Sequence, residues 1–446
     1  MLRKAINFLR HLWAAEDLRN RILISLFLLV IYRIASHVPV PGVDQEVLRS
    51  AFKTEGGTFL NFLDLLSGGT ISNFSVMAMG PYPYITAQII LQLLAPLIPG
   101  VEQRQREDPQ GARRWMERWT YYLAVPMSAM QSLSQIGMVN ATTSQKILPN
   151  FGVDMLSSAA VIVTMTAGTM FAIWLGELIS EYGLKNQGLS LIIFAGIVAR
   201  IPNTFAKMIT GEISGLEALA VYILVTVAVI FLIIIVQQGR RNIPVMYPGR
   251  RIGFRQAMPV RASLPLMVNM AGMIPLIFAG TFLSMPALVG GWVTQVVSDT
   301  NSFLYKAGQS VVTFMNGNSG GYWLIYFLLV VVFTFFYTDV QFTQANFSEN
   351  LRRSGAQIPG VTSGEATQKY LTRVMRRITF PGAFFLGFVA VMPFLVGLIV
   401  PFGPNRSTLL VTSSGLLIVV GVVRELYFTL EAELKLRGYD ESLLVK

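Results

Sequence analysis

The chain has 446 residues, 53% of them hydrophobic and 13% charged, about half the charged share of an ordinary soluble domain; its mean hydropathy is +0.55. Such a composition is built for lipid. With no cysteine there is no disulfide framework, thiolate metal site or cysteine nucleophile, and two histidines, His11 and His37, rule out an imidazole cluster. The net charge is +11, and what matters is where those cations sit.

In chain order, Leu2, Ile6, Leu9 and Trp13 fall on one face of an N-terminal helix with Arg3, Lys4 and Arg10 off it. That is the pattern of a helix lying on an anionic lipid surface, so residues 1–21 read as a cytoplasmic amphipathic segment. The run from Ile22 to Val38 is longer than a signal-peptide core and has no small-residue cleavage site before Pro39-Val40-Pro41-Gly42. It is therefore expected to remain as a first span. Further runs able to cross about 30 Å of hydrocarbon lie at 74–98, 119–139, 153–179, 189–209, 216–237, 264–288, 321–341, 379–400 and 408–427. Because lipid offers no hydrogen bonds, each must be a helix, and an even number puts both termini on one side. Alternate connecting segments, beginning with the N-terminus, hold about 27 of the 35 Lys and Arg, and the opposite set about seven. Both termini are thus expected in the cytoplasm.

Between the first two spans, Phe59, Phe62, Leu63 and Leu66 repeat at helical spacing and Gly68-Gly69 stops the run. A helix this short cannot cross; it either lies on the outer surface or dips into the protein. The second span opens with Gly80-Pro81-Tyr82-Pro83 and the seventh carries Pro275, places for a hinge or a static kink. Five spans on each side of 210–265 allow two halves of inverted topology.

Nucleotide-, zinc- and serine-chemistry motifs are absent. Ionisable residues near mid-membrane, which an ion-coupled transporter needs, are nearly absent too. The spans instead carry uncharged polar residues: Thr86, Gln88 and Gln92 in the second, Gln131 and Gln135 in the third, Asn269 in the seventh. These either tie helices together at roughly 1 kcal/mol each or form a seam weak enough to part. Two cytoplasmic loops are long and basic. The stretch 237–265 holds Arg240, Arg241, Arg250, Arg251, Arg255 and Arg261 with no acid, and 341–378 holds Arg352, Arg353, Lys369, Arg373, Arg376 and Arg377. They mark topology, and their length also suits docking on phosphate-rich RNA or an acidic protein.

Several blocks resemble, in order, those of the SecY family, the channel subunits of bacterial protein translocases. They include Val76-Met-Ala-Met-Gly80-Pro-Tyr-Pro-Tyr-Ile85-Thr-Ala-Gln-Ile89-Ile-Leu-Gln92, Gly168-Thr-Met-Phe-Ala-Ile-Trp-Leu-Gly176-Glu177, Ser190-Leu-Ile-Ile-Phe-Ala-Gly196-Ile197, Leu264-Pro-Leu-Met-Val-Asn269-Met-Ala-Gly272-Met-Ile-Pro275 and Asn350-Leu-Arg-Arg-Ser-Gly355. The resemblance runs from Tyr32-Arg33 to Leu436-Arg437-Gly438-Tyr439.

It implies an all-α polytopic membrane fold of ten transmembrane helices in two inverted pseudo-symmetric five-helix halves, a clamshell around an hourglass pore. The halves would be 22–209, including a plug at 58–70, and 210–427, with cytoplasmic loops 238–263 and 342–378; 428–446 would be a cytoplasmic tail. The resemblance further implies a pore ring at Ile85, Ile89, Ile193, Ile197, Ile277 and Ile418, and a plug built on Phe59, Phe62, Leu63, Leu66, Gly68 and Gly69. Gln92, Gln131 and Asn269 would form the polar cluster of a lateral gate between spans two and seven. Implied partners are SecE and SecG, the SecA motor ATPase, the ribosome and its rRNA, signal sequences and unfolded polypeptides, and anionic lipids. The docking cations would be Arg240, Arg241, Arg250, Arg251, Arg255, Arg352, Arg353, Arg376 and Arg377. No cofactor, metal or catalytic residue is implied, and the location is a bacterial cytoplasmic membrane. The chain departs from the family in two places. Thr362 stands where an Arg is usual, and the turn Gly183-Leu-Lys185-Asn-Gln-Gly188 has an extra residue, which should stiffen it.

Overall fold

A computed structural model describes residues 12–44, 46–47, 74–95, 98, 100–101, 108–142, 147–149, 151–152, 154–185, 187–209, 216–247, 251–252, 255–256, 260–297, 302–315, 320–345, 347–399 and 406–436. Its elements in chain order are α1 (Glu16–Ala35), α2 (Tyr82–Leu94), α3 (Pro109–Thr142), α4 (Met155–Tyr182), α5 (Gly188–Ile209), α6 (Leu216–Gln238), β1 (Arg240–Tyr247), β2 (Arg251–Ile252), β3 (Arg255–Gln256) and β4 (Val260–Met267). There follow α7 (Ile274–Val296), α8 (Phe303–Met315), α9 (Gly320–Gln344), α10 (Phe347–Arg353), α11 (Glu365–Ile399) and α12 (Arg406–Leu436). Each of the ten apolar runs overlaps one helix, whereas α8, α10 and β1 to β3 fall between runs and β4 takes the first residues of the run 264–288. Four described helical stretches meet a strict length-and-hydropathy standard for crossing a membrane: Met155–Tyr182, Ile274–Thr294, Gly320–Arg353 and Glu365–Met392.

The helices leave large apolar side chains outside in stripes at helical spacing: Leu23, Phe27, Val30 and Ile34 on α1, Leu224, Val227 and Phe231 on α6, and Leu324, Leu328 and Val332 on α9. Stripes of this size oppose water and fit lipid.

The chain falls into two compact units, 1–220 with 283–320 and 401–446, and 221–282 with 321–400. The second part of α7, α8 and α12 thus belong to the first unit.

In the first unit α3 packs on α2 and α4, α1 packs on α4 and α5, and α12 packs on α5. Leu12, Ala15 and Leu18 meet Leu434 in a small core, with Ile22, Tyr427 and Leu430 around it. Beside that core Arg21 donates to Glu433 at 3.2 Å, and the Lys185 ammonium lies 3.8 Å from the same carboxylate. The Leu184 N–H donates to Ser25 Oγ at 3.1 Å, and the Gly188 N–H to Ser180 Oγ at 3.0 Å. The turn containing Lys185 is thus fastened to three helices, α1, α4 and α12. Beyond the C-terminal end of α1, the Val40 N–H donates to Phe74 O and the Val76 N–H to Val38 O, at 3.0 and 2.9 Å. Gly168 of α4 lies against the Val76 carbonyl so closely that a Cβ there would overlap it.

Two expectations change here. The second span becomes helical only at Tyr82, with Pro81 as N-cap and Pro83 in the first turn, and Pro275 is the second residue of α7. In a first turn proline deletes an N–H that has no helical partner anyway, so these prolines start helices and do not interrupt them. Prolines inside helices are instead Pro126, Pro202, Pro286, Pro381 and Pro393.

In the second unit the first basic loop is a β-hairpin. β1 and β4 pair antiparallel from Arg240↔Met267 to Tyr247↔Val260, and β2 and β3 pair through Arg251↔Gln256 and Ile252↔Arg255. Ile243 and Leu266 point inward and join Phe342, Ile358, Leu371, Val374, Met375 and Ile378 in one apolar core. Reciprocal backbone bonds between Met246 and Gln357, at 2.8 and 2.9 Å, stitch the second basic loop to the hairpin. The two loops therefore fold together as one platform.

Candidate functional site

Ile85 and Ile89 sit one turn apart on α2, and Ile193 and Ile197 one turn apart on α5. Ile418 lies in the middle of α12, which packs on α5, and Ile277 in the first turn of α7, in the second unit. Ile89, Ile193, Ile197, Ile277 and Ile418 are buried and Ile85 is half-buried. Paired isoleucines at i and i+4 put two branched aliphatic groups on one helix face, which suits a dry constriction.

The polar residues are underused. Gln131 is buried and donates from Nε2 to Thr86 Oγ1 at 3.3 Å, tying α3 to α2. Among the described residues, its Oε1, the Gln92 Oε1 and both side-chain polar atoms of buried Gln135 have no hydrogen-bond partner. Such amides hold hydrogen-bonding capacity for which water or an entering chain can compete. Asn269 lies in the turn before α7, not within that helix as the seventh run implied. It donates from Nδ2 to Gly272 O at 3.0 Å, and its buried Oδ1 has no donor among the described residues. Gly272, at φ +64, closes this turn. The plug residues Phe59, Phe62, Leu63, Leu66, Gly68 and Gly69 lie outside the described residues, as do Leu2, Ile6, Leu9 and Arg250.

On the platform, Arg240, Arg241 and Arg261 are exposed, and among the described residues no carboxylate pairs with them. Arg251 and Arg255 belong to the short β2–β3 pair, with their side chains outside the described set. In the second loop, Arg352 and Arg353 both reach Glu349, at 2.9 and 3.2 Å, and Arg376 reaches Asp339 at 3.1 Å. Arg373 and Arg377 are exposed. The hydrogen bonds from Arg352 and Arg353 hold the Glu349 carboxyl below the usual carboxylate range, and Lys369 at 2.8 Å does the same for Glu365. Thr362 is exposed, and its carbonyl accepts from Thr367 Oγ1 at 2.8 Å.

Sequence reading missed the hairpin that shapes the first docking loop. The signal was present in the alternation Arg241, Ile243, Val245, Tyr247, but Pro244 and Pro265 argued against a strand. Missed too was Glu433, which gathers Arg21 and Lys185 although 412 residues separate it from Arg21.

Solved structures share this architecture. A protein conducting channel superposes with a TM-score of 0.66 at 19% identity, covering 93% of this chain and 92% of that one. Sec61 of a canine ribosome-channel complex from the endoplasmic reticulum gives 0.63 at 18%, again covering 93% and 92%. The fold is thus that of the ten-helix membrane channels, and the chain is a multi-pass membrane protein. The SecY family model matches residues 75–427. The protein translocase subunit SecY of Aquifex aeolicus is 34% identical over 441 residues, covering 97% of this chain and 98% of the relative. That of Thermotoga maritima is 36% identical over 430 residues, covering 95% and 94%. The chain belongs to the SecY family.

Proposed function

We propose that the chain is the central pore subunit of a general secretory translocon, passing unfolded polypeptides across a bacterial cytoplasmic membrane and releasing membrane segments sideways. The observation that carries this reading is the extent of the family match, 75–427, which takes in every proposed ring and gate position.

In this reading Ile85, Ile89, Ile193, Ile197, Ile277 and Ile418 line the narrowest part of a pore between two inverted five-span halves. Branched aliphatic side chains offer an ion nothing to replace its hydration shell, yet present no charge that would hold a passing peptide. Residues 58–70 seal the pore from outside; in a solved relative the plug domain of SecY stabilises the closed channel and maintains a membrane seal. The lateral gate opens along α2 and α7, with Gln92, Gln131 and Asn269 as its polar cluster. Their spare acceptors support that role, since an entering helix exchanges partners with a half-satisfied amide more easily than it parts continuous apolar packing.

Both termini and the platform face the cytoplasm. The platform's free arginines receive SecA or the ribosome, and relatives are known in ribosome-bound channel complexes from dog and yeast. SecE and SecG brace the channel, and anionic lipids meet the N-terminal segment. The chain is not an enzyme in this reading; nucleotide hydrolysis belongs to its partners. Deleting residues 58–70 tests it. Ion leak across a planar bilayer should rise severalfold, and an unchanged leak would remove the pore assignment.

A further inference from the structure

α8, between α7 and α9, lies outside the pore, gate and platform. At about 100° per residue its thirteen positions sort into three faces. Gly308 and Val312 are buried, with Tyr305 and Met315 half-buried beside them. This face docks on the last turns of α7, where Gly308 and Gly290 meet almost backbone to backbone. A Cβ at Gly290 would stand 2.8 Å from Gly308 O, and one at Gly308 would stand 3.0 Å from Gly290 O. Next to it runs an apolar face left outside: Phe303, 82% exposed, Leu304, 59%, Ala307 and Phe314, 40%. The third face is polar, formed by Lys306, Gln309, Ser310 and Thr313, all exposed.

Two observations identify what covers the apolar face. First, it continues a stripe on α7, where Val289 and Trp292 are exposed beside the glycine contact. α7 is a spanning helix, and Gly290 lies about 9 Å from its end at 1.5 Å per residue. That is the depth at which tryptophan collects in a bilayer. Second, the polar face asks for no protein partner. Ser310 Oγ donates to Lys306 O and Thr313 Oγ1 to Gln309 O, each at 2.8 Å within the helix. Lys306 has no carboxylate partner among the described residues. An apolar stripe beside a lone cation on a helix held at the end of a span is the pattern of a helix lying in a membrane interface.

We propose that α8 is an interfacial lipid anchor. It lies in the bilayer surface at the end of α7, with Phe303, Leu304, Ala307 and Phe314 among the upper acyl chains and Lys306 at the phosphate of an anionic headgroup. There it fixes the end of α7, the helix that also carries Ile277.

Because the chain has no cysteine, single nitroxide labels can be placed cleanly on the full-length protein. Phe303→Cys, Phe314→Cys, Lys306→Cys and Thr313→Cys all change exposed positions and leave the Gly290–Gly308 contact intact. In vesicles of phosphatidylethanolamine and phosphatidylglycerol, collision rates with oxygen, which concentrates in acyl chains, are compared with those of a water-soluble nickel chelate. The proposal expects labels at 303 and 314 to favour oxygen severalfold over those at 306 and 313. Four labels equally open to the nickel chelate would mean a helix standing in water, and labels at 303 and 314 shielded from both reagents would mean a protein cover. Either result would overturn the anchor.

Discussion

The hairpin β1–β4 and the short helix α10 belong to the same platform and carry arginines in similar density, yet those arginines differ in what they have left to offer. On the hairpin, Arg240, Arg241 and Arg261 stand in an acid-free stretch and point into solvent. On α10, Glu349 sits three and four residues before Arg352 and Arg353 and engages both. Counting cations in a basic loop overstates its pull on an anionic partner, because some of the charge is already neutralised within the fold. The hairpin is the freer electrostatic surface, and α10 is in good part a self-satisfied helix.

The largest effect should therefore follow charge reversal on the hairpin. Replacing Arg240, Arg241 and Arg261 with Glu should weaken ribosome or SecA binding by about tenfold or more at low salt, with a flatter dependence on salt concentration, because several cations leave the contact. Co-sedimentation across a salt series measures it, and equal loss from both regions would break the contrast. A smaller effect, a few-fold, is expected from Arg352→Glu with Arg353→Glu. Glu349→Gln should move binding the other way by releasing two guanidinium groups, so weaker binding in that variant would count against the comparison.

The same pair sets a pH expectation. Glu349 has its carboxyl pKa lowered from the ordinary value of 4.5 by its two arginines. A depressed folded-state pKa gives a contribution that is present above the unfolded value and lost as pH falls through the folded one. α10 should hold its ion pairs from neutral pH down through the ordinary carboxylate range and release them only below it. A carboxyl-detected NMR titration reads this directly, and a midpoint at or above 4.5 would contradict the pairing. The smallest and most local effect should come from Gly168→Ala, where the added methyl meets the Val76 carbonyl. A loss of about 1–3 kcal/mol in thermal stability is expected, with partner binding at the platform unchanged.

Much of the membrane layer was legible in the sequence. Ten apolar runs became ten helices because helix formation in lipid is forced by the lack of any other hydrogen-bond partner. Helix starts were harder, since an apolar turn such as 74–81, or the β4-to-α7 stretch around Asn269, is as hydrophobic as a span. Asn269 was placed inside a helix for that reason. The platform was legible only as charge, because its fold depends on distant segments coming together, Ile243 and Leu371 in one core and Met246 hydrogen-bonded to Gln357. α8 was not legible because the face that packs on α7 rests on Gly308, which carries no hydropathy signal. Among the site residues, a single isoleucine in an apolar run is indistinguishable from its neighbours, and only the family resemblance singled out the six.

The central claim, that these isoleucines close a pore, is tested most directly by conductance. The variant with Ile85→Gly, Ile193→Gly and Ile418→Gly, purified with its partners and placed in a planar bilayer, should leak ions severalfold more than the parent in the absence of a translocating chain. A leak indistinguishable from the parent, in a variant that still assembles, would contradict the ring.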